Sequence, residues 1–196
     1  MLLAELKSAT AGHHARVEAA MPSLDQLTTP GGYAAALRAL HAFHAAWEPA
    51  LWRTPGVSAA GLASGREKLP LLERDLRALG IRPFPVLPPA PAMDDAAAAL
   101  GALYVLEGAS LGGRIIHRRV AGPLGVTPEH GAAYYHGYGD RTGDRWKEFG
   151  RGVTRFAEHT GSAPRVVAGA VDCFAALEAW LAVPGVMALP EPAAVS

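Results

Sequence analysis

Two histidines stand side by side in HHARVEAA, residues 13–20, with a glutamate four places after the second. Imidazole is a common metal ligand, and a metal-bound ring gives its other N–H to a carboxylate, carbonyl or water that orients it. On a helix, residues four apart share a face, so Glu18 lies beside His14, whereas His13 has Val17 there. That spacing makes His14 the candidate metal ligand and Glu18 its support, against the commoner reading of a lone histidine as an ordinary helix residue. HAAWE repeats the spacing with His44 and Glu48. A di-iron centre, however, needs two Glu-x-x-His pairs among carboxylates from four helices, and no Glu-x-x-His occurs. His41 and His44 read as the lining of a helix face, and His117, His130, His136 and His159 have no partner in sequence. Cys173 lies among apolar residues and reads as packing, ahead of an iron–thiolate role.

The second chemically suggestive stretch is LGALYVLEGASLGGRIIHRRV, residues 100–120, with Gly101, Gly108, Gly112 and Gly113 inside a strong helical pattern. Each interior glycine costs about 1 kcal/mol relative to alanine, so the four cost roughly 4 kcal/mol. Gly108 and Gly112 stack on one stripe, with Tyr104 a turn earlier. A bare stripe admits a flat group against the backbone or lets the helix bend. The plainer alternative, close packing on a neighbouring helix, would be met by the alanine this chain uses freely. Four glycines flanked by Tyr104 and Arg114 therefore favour a ligand.

The elements that must position these residues are helical, since no two-residue alternation appears. A first helix carries Leu3, Leu6, Thr10, Val17 and Met21 on one face and ends at Pro22. Thr29 and Pro30 open a second that runs to about Leu51. A third spans about 65–79, begins after Ser64 and stops at Gly80. RPFPVLPPAPAM, residues 82–93, is a stiff connection. Asp94 or Asp95 caps the long glycine-bearing helix, which is expected to end before Gly122 and Pro123. A short helix within 127–137, another near 145–159, and a last one from Ser162 to about Val183 complete the set. The fold expected is an all-α bundle of about seven or eight helices in one domain, 1–183, with a flexible tail over 184–196.

Composition narrows the function. With 196 residues, half of them apolar, the chain can bury a core; Lys plus Arg and Asp plus Glu balance at 18 each. That balance argues against a nucleic-acid or anionic-membrane binder. One cysteine excludes an internal disulfide and suggests a reducing compartment. The longest apolar run, residues 96–106, stops at Glu107, short of a membrane span, and the beginning MLLAELKSAT is too briefly apolar for a signal peptide. The expectation is a cytoplasmic protein.

LKSATAGHHARVE resembles the amino-terminal helix of heme oxygenases, in which the ligand histidine stands four positions after the threonine of Leu-Lys-x-Ala-Thr. YVLEGASLGGRII is similar to the distal helix of that family, especially in the bacterial enzymes found beside bacteriophytochromes. YGDRTGDRWKEFGRGV resembles the same subgroup, and the likeness runs from about residue 6 to about 180. The resemblance implies a heme-oxygenase-like bundle with heme b as both cofactor and substrate, His14 as proximal iron ligand and Gly108 and Gly112 as the distal strip. It implies that Lys7, Tyr104, Lys147 and Arg151 meet the propionates and that Gly113 and Phe174 lie against the ring. Arg145 and Arg155 stay as solvated charges. Reductive, O2-dependent opening at a meso carbon would yield biliverdin, CO and Fe2+. No Gly-x-Gly-x-x-Gly fingerprint occurs, so electrons would come from a ferredoxin or a flavoprotein reductase. The biliverdin would supply a bacteriophytochrome. Two departures stand out: Ala109 replaces an aspartate that orders distal water in many members, and Ala11 replaces a second first-helix lysine. The competing readings are a non-catalytic heme carrier or sensor with the same pocket, and a related fold holding another ligand.

Overall fold

The structure, a computed structural model, describes residues 2–188 apart from 58, 59, 61, 63, 64 and 94. Those residues form eight α-helices and no strand: α1 (Leu2–Ala20), α2 (Leu24–Leu27), α3 (Pro30–Arg53), α4 (Leu69–Ala78), α5 (Ala96–Leu124), α6 (Ala133–His136), α7 (Thr142–Thr160) and α8 (Ala163–Leu181). A 3-10 turn, Gly139–Arg141, leads into α7.

Most helix starts are written locally. Thr29 Oγ1 accepts the Gly32 N–H at 3.2 Å, and Asp95 Oδ1 accepts the Ala97 N–H at 2.8 Å. The single turn α2 was not expected, although Ser23 and Gln26 form a reciprocal capping box that was legible beforehand. Two starts are set from a distance. α4 begins at Leu69, four residues later than the apolar pattern indicates (Ser64 lies outside the described residues), because Glu48 of α3 takes the N–H groups of Lys68 and Leu69 at 3.0–3.2 Å. Asp75 of α4 caps α6 in the same way, accepting from Ala133 and Tyr134 at 2.8 Å. At its far end α5 passes through Gly122 and Pro123, against expectation, and stops only where Gly125 turns left-handed at φ +63°.

α5 is the axis of the bundle. It is the one described helix long and apolar enough to cross a membrane, yet 61% of its apolar window is buried inside the protein. It lies along α8, with α1 laid over α8 as well. Gly101 and Gly169 make that crossing close: a Cβ on Gly101 would strike the Val166 carbonyl, and one on Gly169 would strike Ala98. Leu6, Phe43, Leu100, Leu103, Phe149 and Cys173 fill the main core; Tyr33, Leu37, Leu72 and Tyr135 fill a second one. Val186 is buried in the main core, so the chain is still packed beyond residue 183, and the rest of the expected tail, 189–196, lies outside the described residues.

Candidate functional site

α1 and α5 meet where buried Thr10 faces Tyr104. The Thr10 hydroxyl donates to the Leu6 carbonyl at 2.8 Å and stands beside the Tyr104 phenol, whose ring lies 5.6 Å from Trp146 of α7. One turn beyond this contact, α1 carries His14; one and two turns beyond it, α5 carries Gly108 and Gly112. The nearest atoms to a Cβ on Gly108 would be Trp146 ring carbons at 3.9 Å, and a Cβ on Gly112 would meet nothing within 4 Å. Bare backbone therefore faces open space. Leu111 and Ile115 flank it with 42% and 63% exposure, an apolar edge that nothing in the described chain covers.

The other two glycines answer to packing. Gly101 admits α8, as described above. Gly113 admits the backbone of α6, for its Cβ would come within 2.9 Å of the Tyr135 carbonyl oxygen. The plainer reading holds for this pair and the open-stripe reading for Gly108 and Gly112.

The two histidines also separate. His13 turns toward α8, where its Nδ1 meets Glu178 Oε1 at 2.5 Å and its ring stacks near Phe174 at 6.4 Å between centroids. Arg16 donates to the same carboxylate at 2.8 Å; Arg16 first, then His13, hold Glu178 below the usual carboxylate range. His14 stands on the other edge, 60% exposed, its Nδ1 3.4 Å from Glu18 and its ring edge-on to Phe174 at 6.1 Å. At that distance the Glu18 contact is a loose one. Both imidazoles thus have a carboxylate. The sequence pattern missed the better one, since Glu178 lies 165 positions from His13. What distinguishes them is occupation: His13 is committed to a helix contact, and His14 presents an open ring.

Lys147 and Arg151, expected as a pair, do come together. With Leu3, Gly150, Thr154 and Arg155 they line a surface cavity of about 640 Å3 between α1 and α7. Lys7 is exposed on α1 and lies outside that lining. Arg155 is exposed along that lining, whereas Arg145 donates to Glu148 at 3.0 Å and to the Gly65 carbonyl at 3.1 Å and so is not the plain solvated charge expected. Burial pushes the Tyr104 phenol above its usual range, so it keeps its proton and can donate to an anion. Burial likewise raises the Cys173 thiol, which suits packing and not ligation.

His44 and Glu48 are buried together, Nδ1 to Oε1 at 2.6 Å, but the carboxylate is consumed by the start of α4 and by Trp52 Nε1 at 3.4 Å. No group of three or more His, Cys, Asp or Glu side chains forms a metal site among the described residues. An exposed imidazole on α1, a bare strip with an apolar edge on α5 and two cations on α7 are the donor types that a flat, apolar, iron-bearing ligand with acidic side arms would need. Hydrophobic sides would cover Leu111 and Ile115, and acidic arms would meet Lys147, Arg151 and the Tyr104 hydroxyl.

No family model matches the chain. It is 32% identical over 117 residues to the heme oxygenase of Xanthomonas campestris pv. campestris (strain 8004), covering 60% of this chain and 68% of that one. Its fold is similar to that of the NO- and CO-bound heme oxygenase from Neisseria meningitidis, with a TM-score of 0.78 over 98% of this chain and 95% of that one at 21% identity. It is also similar to the heme oxygenase from Leptospira interrogans, with a TM-score of 0.65 over 92% and 98% of the two chains at 16% identity. With that relative matched over two thirds of its length, on the all-helical fold the two solved structures share, the chain belongs to the heme oxygenase family.

Proposed function

We propose that the chain, a single domain whose core extends to Val186, is a cytoplasmic, biliverdin-producing heme oxygenase of the bacterial, bacteriophytochrome-linked subgroup. The observation that carries the reading is the open strip at Gly108 and Gly112, which starts one turn beyond Tyr104 on α5, where Tyr104 meets Thr10 of α1, the helix that carries His14. Bound heme supplies the iron that activates O2 and the macrocycle that is opened at a meso carbon, with biliverdin, CO and Fe2+ as products. His14 is assigned as the iron ligand; Glu18, 3.4 Å from Nδ1, is assigned to orient the ring, with Nε2 as the donor atom. A neutral imidazole pushes less electron density onto iron than a thiolate does.

Gly108 and Gly112 bring backbone, in place of a side chain, against the distal face, and Trp146 closes one side of that space. Phe174, in contact with both imidazole rings, fills the floor beneath His14. Lys147, Arg151, Tyr104 and, from α1, Lys7 are assigned to the propionates. Ala109 brings no acid to the strip, and Glu107, the nearest acid in sequence, is engaged with Arg66, Lys68 and Tyr138. Water ordering on the distal face is therefore assigned to backbone. Electrons come from an external ferredoxin or flavoprotein reductase. Neither nucleic acid nor a membrane enters the reading.

Hemin titration of the purified chain should give a stoichiometric Soret band, and a reducing system under air should replace it with biliverdin absorption. Retention of the heme spectrum under those conditions would leave a carrier or sensor. Absence of the Soret band would remove both heme readings.

A further inference from the structure

Immediately before the strip, Glu107 sits at the hub of a buried charged cluster. Its Oε2 receives Arg66 Nη1 at 2.7 Å and the Tyr138 hydroxyl at 3.0 Å; its Oε1 receives Lys68 Nζ at 3.2 Å and again Tyr138. The Arg66 and Glu107 side chains are each 1% exposed. Arg66 Nη2 continues to Glu148 at 3.1 Å and to the Arg145 carbonyl at 3.3 Å, both on α7. The Lys68 ammonium lies 3.7 Å from the Tyr138 ring centroid. One carboxylate thus joins α5, the segment leading into α4, the loop before α7, and α7 itself. The next residue on α5 is Gly108, and the residue after Arg145 is Trp146, whose ring stands over Gly108.

Buried ion pairs are poor stabilisers relative to apolar residues of the same volume, because desolvation offsets the attraction; their better-attested use is to select one arrangement. Here the arrangement selected is the distance between the glycine strip and α7. Burial raises the Tyr138 phenol, with Glu107 adding to the effect, so its proton stays and donates inward. Burial lowers Lys68 and Glu107 offsets it, which makes the carboxylate the partner the cluster cannot lose.

We propose that Glu107 is a positioning residue: held by Arg66, Lys68 and Tyr138, it sets the Gly108–Gly112 strip against Trp146 and so decides which edge of a bound ring the strip meets. This rests on the heme reading above. The test uses Glu107→Gln and Tyr138→Phe in the full chain, with two measurements. In heme-free protein, hydrogen exchange of the amides from 108 to 113 should quicken at least tenfold in Glu107→Gln and less in Tyr138→Phe, with amides in the middle of α8 unchanged. In the heme complex, the ratio of biliverdin isomers should shift, which simple loss of folded protein would not cause. Exchange that rises uniformly along the chain, or not at all, overturns the proposal, as does local loosening with an unaltered isomer ratio. Should Glu107→Gln fail to fold, Tyr138→Phe decides by the same criteria. Wild-type chain that takes up no hemin overturns the heme reading separately, and the exchange measurement then still decides whether Glu107 holds the strip.

Discussion

At the scale of single residues, the two neighbouring histidines show how position outweighs composition. Both imidazoles find a carboxylate, and the one held more tightly is His13, at 2.5 Å from Glu178. A carboxylate on Nδ1 suits a structural and a ligating histidine equally, so the two are separated by exposure: His13 is 21% exposed against α8 and His14 60% exposed. His14→Ala should leave the fold intact, remove the low-energy heme spectrum of an imidazole-ligated complex and abolish turnover. His13→Ala should keep both and lose about 1 kcal/mol or less, as expected of a partly exposed ion pair. Equal spectral losses in the two variants would refute the assignment. His14 beside Glu18 was legible as an i, i+4 pair, whereas the claim of Glu178 on His13 was not, because helical spacing carries no information about a helix 165 residues away.

At the scale of elements, the glycines of α5 divide between two tasks that look identical in sequence. Gly101 and Gly113 exist because another backbone is there; Gly112 exists although nothing is. Gly101→Ala should therefore destabilise by about 1–3 kcal/mol, the usual cost of overpacking a tight crossing. Gly112→Ala should stabilise the heme-free protein by about 0.5–1 kcal/mol, the helix propensity regained, while weakening hemin binding. Thermal unfolding of the two heme-free variants, followed by hemin titration of Gly112→Ala, checks both. Destabilisation by Gly112→Ala would mean that the strip is packed. Helix existence was readable from apolar periodicity for α1, α3, α5, α7 and α8, whose faces repeat without outside help. The start of α4 was misplaced because its cap is Glu48, a residue of another helix.

At the scale of the whole molecule, buried carboxylates tie helices that are remote in sequence: Glu48 joins α3 to α4, Asp75 joins α4 to α6, and Glu107 joins α5 to α7 through Arg66. They also make stability depend on pH. For Glu48, burial raises the pKa, but the His44 hydrogen bond and charge, the Lys68 N–H and Trp52 together bring it below its usual 4.5. A carboxyl group lowered on folding adds stability above its unfolded value and loses it as the pH falls through its folded one. Glu48→Gln should therefore lower the unfolding temperature most near pH 7, with the gap to wild type closing below about pH 4.5. A gap constant from pH 7 to pH 4 would show that the charge on Glu48 is not what holds α4.

What the amino-acid sequence determined by itself was the helical class and the placing of the long helices, both of which follow from spacing along a single helix. Tertiary structure alone decided which imidazole is spent on packing, which glycines face space, and that Glu107 is a buried hub instead of the end of an apolar run. These are properties of neighbours brought together from distant parts of the chain, and a local periodicity cannot encode them.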